Sequence, residues 1–319
     1  MPAVSATASA KIILLGEHAV VYNQPAIAVP VSDVRARVAI LANPLGKSGE
    51  VEIFSKQIGL HSMLENLPPE HAFPRLFHSF LNTSGVDHLP SMQIHISSDI
   101  PVASGMGSGA AVSVAMLKAL YQFSGLEIKP EQLSTIAYEA EKAYHGNPSG
   151  IDNTVIAYET PVYFIRDQPV TFLQVPNKFS LLIANSGIPG KTIETVSAVR
   201  QRYENEPETI NVIMQQIGDL VQQARYYLEN GNLEGVGDTF NQNHLLLQKL
   251  GVSIPELDNL VNAALKAGAM GAKLSGGGGG GNIIALVDET RIASVEKALT
   301  LAGASQVFAT VVRSTSEEG

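Results

Sequence analysis

The chain has 319 residues, of which 45% are apolar and 16% charged, with a formal net charge of −9 and no cysteine. This length and balance are typical of a globular protein of about two domains. The lack of cysteine excludes disulfides, thiolate nucleophiles, iron–sulfur clusters and cysteine-based zinc sites. The negative charge argues against nucleic acid as a partner, because its binding depends on lysine and arginine contacts to phosphates.

The sequence predicts neither a targeting segment nor a membrane-spanning helix. No basic segment precedes the first apolar run, and Glu17 and His18 interrupt that run, so we predict no signal peptide. No uninterrupted apolar stretch reaches about 18 residues, the minimum for a membrane-spanning helix. We therefore expect a cytoplasmic protein with no membrane partner.

Apolar patterning predicts mixed helices and strands. Strands are predicted at 10–15, 26–29, 34–40, 92–96, 162–165, 172–175, 179–184, 282–287 and 306–312. Helices are predicted at 110–123, 210–228, 235–250 and 255–267, and another from Pro130 to a stop at Gly146. We predict a domain boundary near Val175, which divides the chain into domains 1–175 and 176–319.

A glycine-rich loop precedes the helix at 110–123. Gly105, Gly107 and Gly109 stand at alternate positions where unpaired N–H groups of the helix start attract anions, and glycine lets a phosphate come close to the backbone. A tight turn without a ligand would carry the same pattern. The loop alone therefore leaves both interpretations open.

Two better-known nucleotide motifs do not fit. The spacing of Gly105, Gly107 and Ala110 meets the loose Rossmann pattern, but residues 97–104 separate the predicted strand from the first glycine. The segment 190–192 ends like a Walker A loop, yet Asn185 stands where its first glycine is required. The sequence also lacks the signature elements of protein kinases.

Two acidic residues are candidates for chemistry. Glu141 lies near the end of its predicted helix, where the helix dipole disfavours a carboxylate by about 0.3 to 1 kcal/mol. A bound Mg²⁺ would compensate for this unfavourable interaction. The alternative is that Glu141 lies on a solvated helix face beside Lys142. Asp152 lies in a predicted loop at 147–153, where it could simply cap a turn. Lys11, within an apolar strand, needs a partner, and a lysine–aspartate pair could orient an alcohol and accept its proton.

Six consecutive glycines, 276–281, form a second glycine-rich segment. Ordering them costs much backbone entropy, so we favour close approach to a ligand over a flexible linker. His18 alone would more often be a structural residue than a ligand, and the sequence has no H-E-x-x-H zinc spacing.

Three segments taken in order, 11–22, 101–111 and 273–281, resemble the motifs of the GHMP kinases. Within this superfamily, Gly-Glu-His-Ala-Val-Val-Tyr at 16–22 and the segment 145–153 are similar to the mevalonate kinases. The resemblance implies an α+β, two-domain GHMP kinase fold, with a ribosomal-S5-like N-terminal domain and a ferredoxin-like C-terminal domain. It also implies ATP- and Mg²⁺-dependent phosphorylation of the primary alcohol of mevalonate in isoprenoid precursor synthesis, with both substrates in the cleft between the domains.

The resemblance also implies roles for individual residues. Asp152 would be the catalytic base and Lys11 its partner. Glu141 and Ser108 would bind magnesium, and Glu17, His18 and, more weakly, Thr192 would face the substrate. The ATP-binding residues would be Pro101, Val102, Ala103, Ser104, Gly105, Met106, Gly107, Ser108, Gly109, Ala110, Ala111, Gly277, Gly278 and Gly279.

Departures from the family pattern keep alternatives open. Ser108-Gly109 stands where the family usually has paired serines, and Ser9-Ala10 stands where many relatives have Pro-Gly. The acceptor could instead be homoserine, a sugar or phosphorylated mevalonate, or the protein could be a sensor that binds without transfer. Retention of Lys11, Glu141 and Asp152 together argues against a sensor. A homodimer is left open.

Overall fold

The structure, a computed structural model, describes residues 3–101, 105–145 and 148–314. In these ranges the strands are β1 Ala3–Leu15, β2 Ala26–Ala42, β3 Val51–Ser55, β4 Leu60–Met63, β5 Met92–Ser98, β6 Val162–Phe164, β7 Thr171–Phe172, β8 Phe179–Asn185, β9 Gly271–Ser275, β10 Asn282–Val287 and β11 Gln306–Val312. The helices are α1 Ala72–Ser84, α2 Ser108–Phe123, α3 Pro130–His145, α4 Ile151–Tyr158, α5 Thr192–Asn205, α6 Pro207–Glu229, α7 Leu233–Lys249, α8 Pro255–Lys266 and α9 Ile292–Leu301. The predicted mixture of helices and sheets is confirmed.

The described chain divides into two compact units, each built from separate stretches of sequence. The first unit contains residues 3–10, 32–101 and 107–159, and the second contains residues 11–31, 105–106 and 160–314. The long strands β1 and β2 therefore contribute residues to both units. The predicted domain boundary at residue 175 stays a prediction.

The first unit combines a sheet with helices α1 to α4. Its strands follow the order β4-β3-β5-β2, in which β3 and β5 are parallel and the other two pairs antiparallel. Alternation buries Val38, Ile53 and Ile94 completely and leaves His95 exposed, as the period of a strand requires. The four helices pack on one another, and α2 also packs on β5.

The second unit contains an antiparallel four-stranded sheet of order β11-β8-β10-β9. Its elements follow as β8, helices, β9, β10, α9 and β11, which is the ferredoxin-like succession predicted above. Helices α7 and α8 pack on β9, and β10 is buried along its whole length. This arrangement fixes the strand β9 that leads into the six glycines.

Several elements differ from the prediction. The strands predicted at 26–29 and 34–40 are parts of the single strand β2, and the helices α1, α4, α5 and α9 and the strands β3, β4 and β9 were not predicted. The prediction that Asp152 lies in a loop was wrong: α4 begins at Ile151, after Gly150 adopts a positive φ of 89° as N-cap. The predicted stop at Gly146 lies outside the described residues.

Candidate active site

Four segments that are distant in sequence meet in the second unit. A Cβ placed on Gly105 would lie 3.7 Å from the Cα of Gly276, so the two glycine-rich segments are neighbours. The Nε2 of His18 lies 3.0 Å from the carbonyl oxygen of Gly277. A Cβ on Gly277 would lie 2.6 Å from the Oγ1 of Thr192. Predicted substrate and phosphate residues are thus brought together.

The end of β1 is bonded to both glycine-rich segments. The backbone N–H of Lys11 donates to the carbonyl oxygen of Met106 at 3.1 Å, and the hydroxyl of Ser275 donates to the carbonyl oxygen of Ile13 at 2.9 Å. Lys11 itself is only 3% exposed. The backbone of β1 therefore bonds to both segments, through the N–H of Lys11 and the carbonyl oxygen of Ile13.

The six glycines are an ordered part of the fold. Gly279 donates to the carbonyl of Val252 at 2.8 Å, Gly281 donates to the carbonyl of Ile188 at 2.8 Å, and Lys191 donates to the carbonyl of Gly278 at 3.2 Å. Gly278 has a φ of +78°, and a Cβ there would lie 2.1 Å from the carbonyl oxygen of Val252. These contacts contradict the alternative of a flexible linker.

His18 is a buried, uncharged histidine with a positive backbone φ angle. It is 6% exposed and has a φ of +61°. Burial lowers the pKa of His18 to about 4, against the raising effect of its bond to Gly277, so the ring is neutral near pH 7. Because a carbonyl oxygen can only accept, Nε2 carries the proton and Nδ1 is a hydrogen-bond acceptor.

Behind His18 lies a buried ion pair. Lys273 is 0% and Glu17 1% exposed, and the Nζ of Lys273 donates to the Oε1 of Glu17. The other carboxylate oxygen, Oε2, accepts a bond from Asn243 at 3.2 Å. Sequence reasoning did not single out Lys273 or Asn243, although Lys273 stands between the apolar Ala272 and Leu274 and so carried the same signal as Lys11.

The first unit carries the start of α2, the helix that follows the first glycine-rich segment. Gly107, with a φ of 72°, is the N-cap of α2, and Ser108 is its first residue, half-buried. Gly109, Ala110 and Ala111 follow in the first turn, so strand, loop and helix follow one another as predicted. Of the predicted loop residues, Val102, Ala103 and Ser104 lie outside the described residues, and Pro101 is half-buried.

The two acidic candidates also lie in the first unit. Glu141 is in the last turn of α3 and is 3% exposed, whereas Asp152 is half-buried in the first turn of α4. The side-chain amide of Asn153 anchors that turn, since it donates to the carbonyl oxygen of Ser134 at 3.0 Å and to its hydroxyl at 2.9 Å. The predicted pairing of Lys11 with Asp152 stays a prediction.

The described part of the chain has neither a metal-ligand cluster nor a membrane-spanning helix. Among the described residues, no group of three or more histidine, aspartate or glutamate side chains is arranged to hold a metal ion. A magnesium ion bound with nucleotide needs only one or two carboxylates, because phosphate oxygens and water complete its shell. None of the described helices has the length and apolar character needed to cross a membrane.

Comparisons with known proteins agree with this geometry. Residues 73–160 match the family described as GHMP kinases N terminal domain, and residues 224–305 match the family described as GHMP kinases C terminal. The chain is 34% identical to the mevalonate kinase of Pyrococcus horikoshii, in an alignment that covers 97% of this chain and 96% of the relative.

Solved structures show the same similarity. The mevalonate kinase of L. major in complex with R-mevalonate is 26% identical with a TM-score of 0.82, over 98% of this chain and 96% of that one. The mevalonate kinase of Methanococcus jannaschii is 25% identical with a TM-score of 0.84, over 98% and 99% of the two chains. The likeness therefore extends along both units.

Proposed function

Because the chain belongs to the mevalonate kinase family of GHMP kinases, and is therefore an ATP-using small-molecule kinase, we propose that it phosphorylates the primary alcohol of mevalonate to give 5-phosphomevalonate. The observation that carries this proposal is the meeting of Gly105, Gly276, His18 and Thr192 from four distant segments. The mevalonate-bound relative from L. major supports the choice of acceptor.

The triphosphate is proposed to bind the loop 101–111. The start of α2 offers unpaired N–H groups and the positive end of a 16-residue helix, both of which favour phosphate oxygens. Gly105 is exposed, and a Cβ placed on it would meet only atoms at ordinary contact distance, which leaves room for a phosphate. Gly277, Gly278 and Gly279 are proposed to support the same phosphates through their backbone.

His18 and Thr192 are proposed to contact the acceptor. The neutral His18 ring offers Nδ1 as an acceptor for a substrate hydroxyl, since its Nε2–H is already donated to Gly277. Thr192 begins α5 beside Gly277 and is exposed, so its hydroxyl is accessible to a ligand. Together they would orient the alcohol for transfer, which is the main contribution a kinase makes to phosphoryl transfer.

Asp152 is proposed as the base. Its carboxylate would take the proton of the primary hydroxyl as that oxygen forms a bond to the γ-phosphorus and the bond to the β–γ bridging oxygen breaks, which releases ADP. The bonds of Asn153 to Ser134 support this role because they fix the turn that carries Asp152. Lys11 is proposed to keep the carboxylate ionised and oriented.

Magnesium is proposed to bind Glu141 and Ser108. A buried carboxylate and a half-buried hydroxyl are hard oxygen donors of the kind that Mg²⁺ prefers, so the side chains fit the ion. When bound, the ion would neutralise charge on the phosphates. A cytoplasmic location and a homodimer stay predictions for this protein.

An acceptor panel tests the proposal. ADP release is measured with mevalonate, phosphomevalonate, homoserine and galactose at equal concentrations, with an acceptor-free reaction to measure ATP hydrolysis. We expect kcat/KM for mevalonate to exceed that of every other acceptor by at least about a hundredfold, as expected for a site that orients one substrate by hydrogen bonds. Equal or higher turnover of another alcohol would overturn the choice of mevalonate, and binding of ATP and mevalonate without ADP release would identify a sensor.

A further inference from the structure

We propose that Glu17 and Lys273 form a buried clamp that holds His18 against the glycine run 276–281. Both would then be positioning residues for the acceptor site rather than ligands of the substrate. The proposal rests on the proposed function, because it assigns these residues to the site where His18 would contact mevalonate. It also gives Glu17 a role different from the substrate contact expected from the sequence.

Both carboxylate oxygens of Glu17 accept bonds from protein partners. Its Oε1 accepts the bond from the Lys273 ammonium and its Oε2 accepts the bond from Asn243, while only 1% of the residue is exposed. The Lys273 ammonium also donates to the carbonyl oxygen of Leu274 at 2.6 Å. Because the carboxylate is buried and each of its oxygens already accepts a bond from the protein, it offers almost no surface to a substrate hydroxyl.

The clamp closes a ring through the site. Glu17 directly precedes His18. Lys273 lies in β9, which ends at Ser275, two residues before Gly277. The two segments are therefore joined by the ion pair and by the bond between His18 and the Gly277 carbonyl, in addition to the bond of Ser275 to Ile13. Loss of the ion pair would leave the bond from His18 as the nearer of the two remaining bonds that hold the turn at 16–18 on the glycine run.

Other titratable groups near the clamp are neutral or paired. His244 on α7 accepts a bond from the Leu274 N–H at 3.3 Å, and its Nε2 lies 3.1 Å from Asp258 on α8. Burial lowers the pKa of His244, and the nearby Lys273 lowers it further, against the raising effect of Asp258. His18, which directly follows Glu17 in the sequence, is also neutral near pH 7. Glu17 therefore supplies the negative charge that balances Lys273.

The opposite charges of Glu17 and Lys273 predict how single and double replacements of the clamp behave. Burial lowers the pKa of Lys273, and the Glu17 carboxylate opposes that effect. Removal of one partner leaves an uncompensated buried charge, whereas replacement of both by neutral side chains of similar size is tolerated. If Glu17 instead contacted the substrate, the effect of changing Glu17 would not depend on the residue at position 273.

A double-mutant cycle separates the two roles. Glu17→Gln, Lys273→Met and the double variant are compared with wild type for kcat/KM with mevalonate, at a temperature below the melting of every protein. The clamp predicts that each single change lowers kcat/KM by at least about tenfold and that the double variant is no worse than the poorer single, because contacting residues are not additive. The exposed ion pair of Lys178 with Glu289, changed as Lys178→Met and Glu289→Gln, provides the matched control, with no expected effect.

Additive results would overturn the clamp. If Glu17→Gln lowers kcat/KM by the same factor whether residue 273 is lysine or methionine, and Lys273→Met alone changes it by less than about threefold, Glu17 binds substrate independently. If the single variants do not fold, the double variant decides: a folded double variant supports the clamp, and an unfolded one contradicts it.

The pH profile adds a readout that packing alone would not change. In Glu17→Gln the folded-state pKa of Lys273 falls further below its unfolded value near 10.4, so the folded protein binds fewer protons and gains stability as pH rises through that window. We expect the free energy of unfolding of Glu17→Gln to rise towards alkaline pH relative to that of wild type, and that of the double variant to follow wild type. A Glu17→Gln profile parallel to wild type would contradict the clamp.

Failure of the proposed function would be recognised separately. If wild type does not turn over mevalonate, the proposed function fails. The same four proteins of the double-mutant cycle are then compared by their urea midpoints of unfolding at pH 7. Each single change should lower the midpoint and the second change should restore part of the loss. Additive losses of stability would reject the clamp whatever the substrate is.

Discussion

The two glycine-rich segments of this chain have similar compositions but need glycine for different reasons. Gly105 and Gly278 have nearly equal φ angles, +75° and +78°. Beyond Gly105 the nearest atoms are at ordinary contact distance, 3.7 Å or more, whereas a Cβ on Gly278 would lie 2.1 Å from the backbone oxygen of Val252. Glycine therefore leaves room for a ligand in the first segment and permits close packing of the protein in the second.

Gly278→Ala should give the largest effect on stability. The new Cβ meets a backbone oxygen that cannot move independently, and the positive φ adds strain, so we expect a loss of about 2 to 5 kcal/mol in the free energy of unfolding. Urea denaturation measures it. Gly125→Ala is the control, because Gly125 has a φ of +69° with nothing within 4 Å of its Cβ position, and it should lose only about 1 to 2 kcal/mol.

His18, which is bonded to the second segment, should make stability fall in acid because it is buried as a neutral ring. Its pKa is about 4 in the folded protein and near 6.5 when unfolded, so the unfolded chain binds more protons between these values. The free energy of unfolding should drop by about 3 kcal/mol as pH falls from 6.5 to 4. In His18→Gln, which keeps an N–H donor, that part of the pH dependence should vanish. An unchanged slope would show that His18 titrates normally.

Gly105→Ala should affect the KM for ATP more than the stability, the reverse of what we expect for Gly278→Ala. Because the new Cβ would meet only atoms at ordinary contact distance, the cost in stability should be limited to backbone strain of about 1 to 2 kcal/mol. We expect the KM for ATP to rise more than the KM for mevalonate, because the methyl group would occupy the room proposed for a phosphate. A stability loss equal to that of Gly278→Ala, with an unchanged KM for ATP, would remove the distinction between the two segments.

Thr192→Val should have the smallest effect on stability. Thr192 is exposed at the start of α5, so its free energy of unfolding should stay within about 0.5 kcal/mol of wild type. Loss of its hydroxyl should lower kcat/KM for mevalonate by about tenfold, which corresponds to one hydrogen bond. Thr192→Ser, which keeps the hydroxyl, is the matched control and should retain activity.

Sequence reasoning found the features that local pattern encodes. The strands β10 and β11 have the predicted bounds, and α2 follows the first glycine segment as expected. Helix α5 was missed because only Val199 is buried along it, which leaves no apolar period to detect. The turn at Asp152 was taken for a loop because its flanking glycine and proline are typical of loops, yet Gly150 is the N-cap of α4.

Long-range partners could not be predicted in the same way. Glu17 and Lys273 lie 256 residues apart, and only the fold brings them together. The same holds for the contact of Thr192 with Gly277, which depends on how β8 and β10 pair in the sheet. A buried lysine or glutamate in an apolar run does predict that a partner exists, but the run does not say which residue it is.

Single-turnover transfer of labelled γ-phosphate from ATP to mevalonate tests the proposed chemistry most directly. Wild type should place the label on the primary alcohol, and Asp152→Asn should do so about 10² to 10⁴ times more slowly with unchanged binding of both substrates. Transfer by Asp152→Asn at the wild-type rate would remove Asp152 from the reaction. Absence of label on mevalonate with the wild-type protein would contradict the proposed function itself.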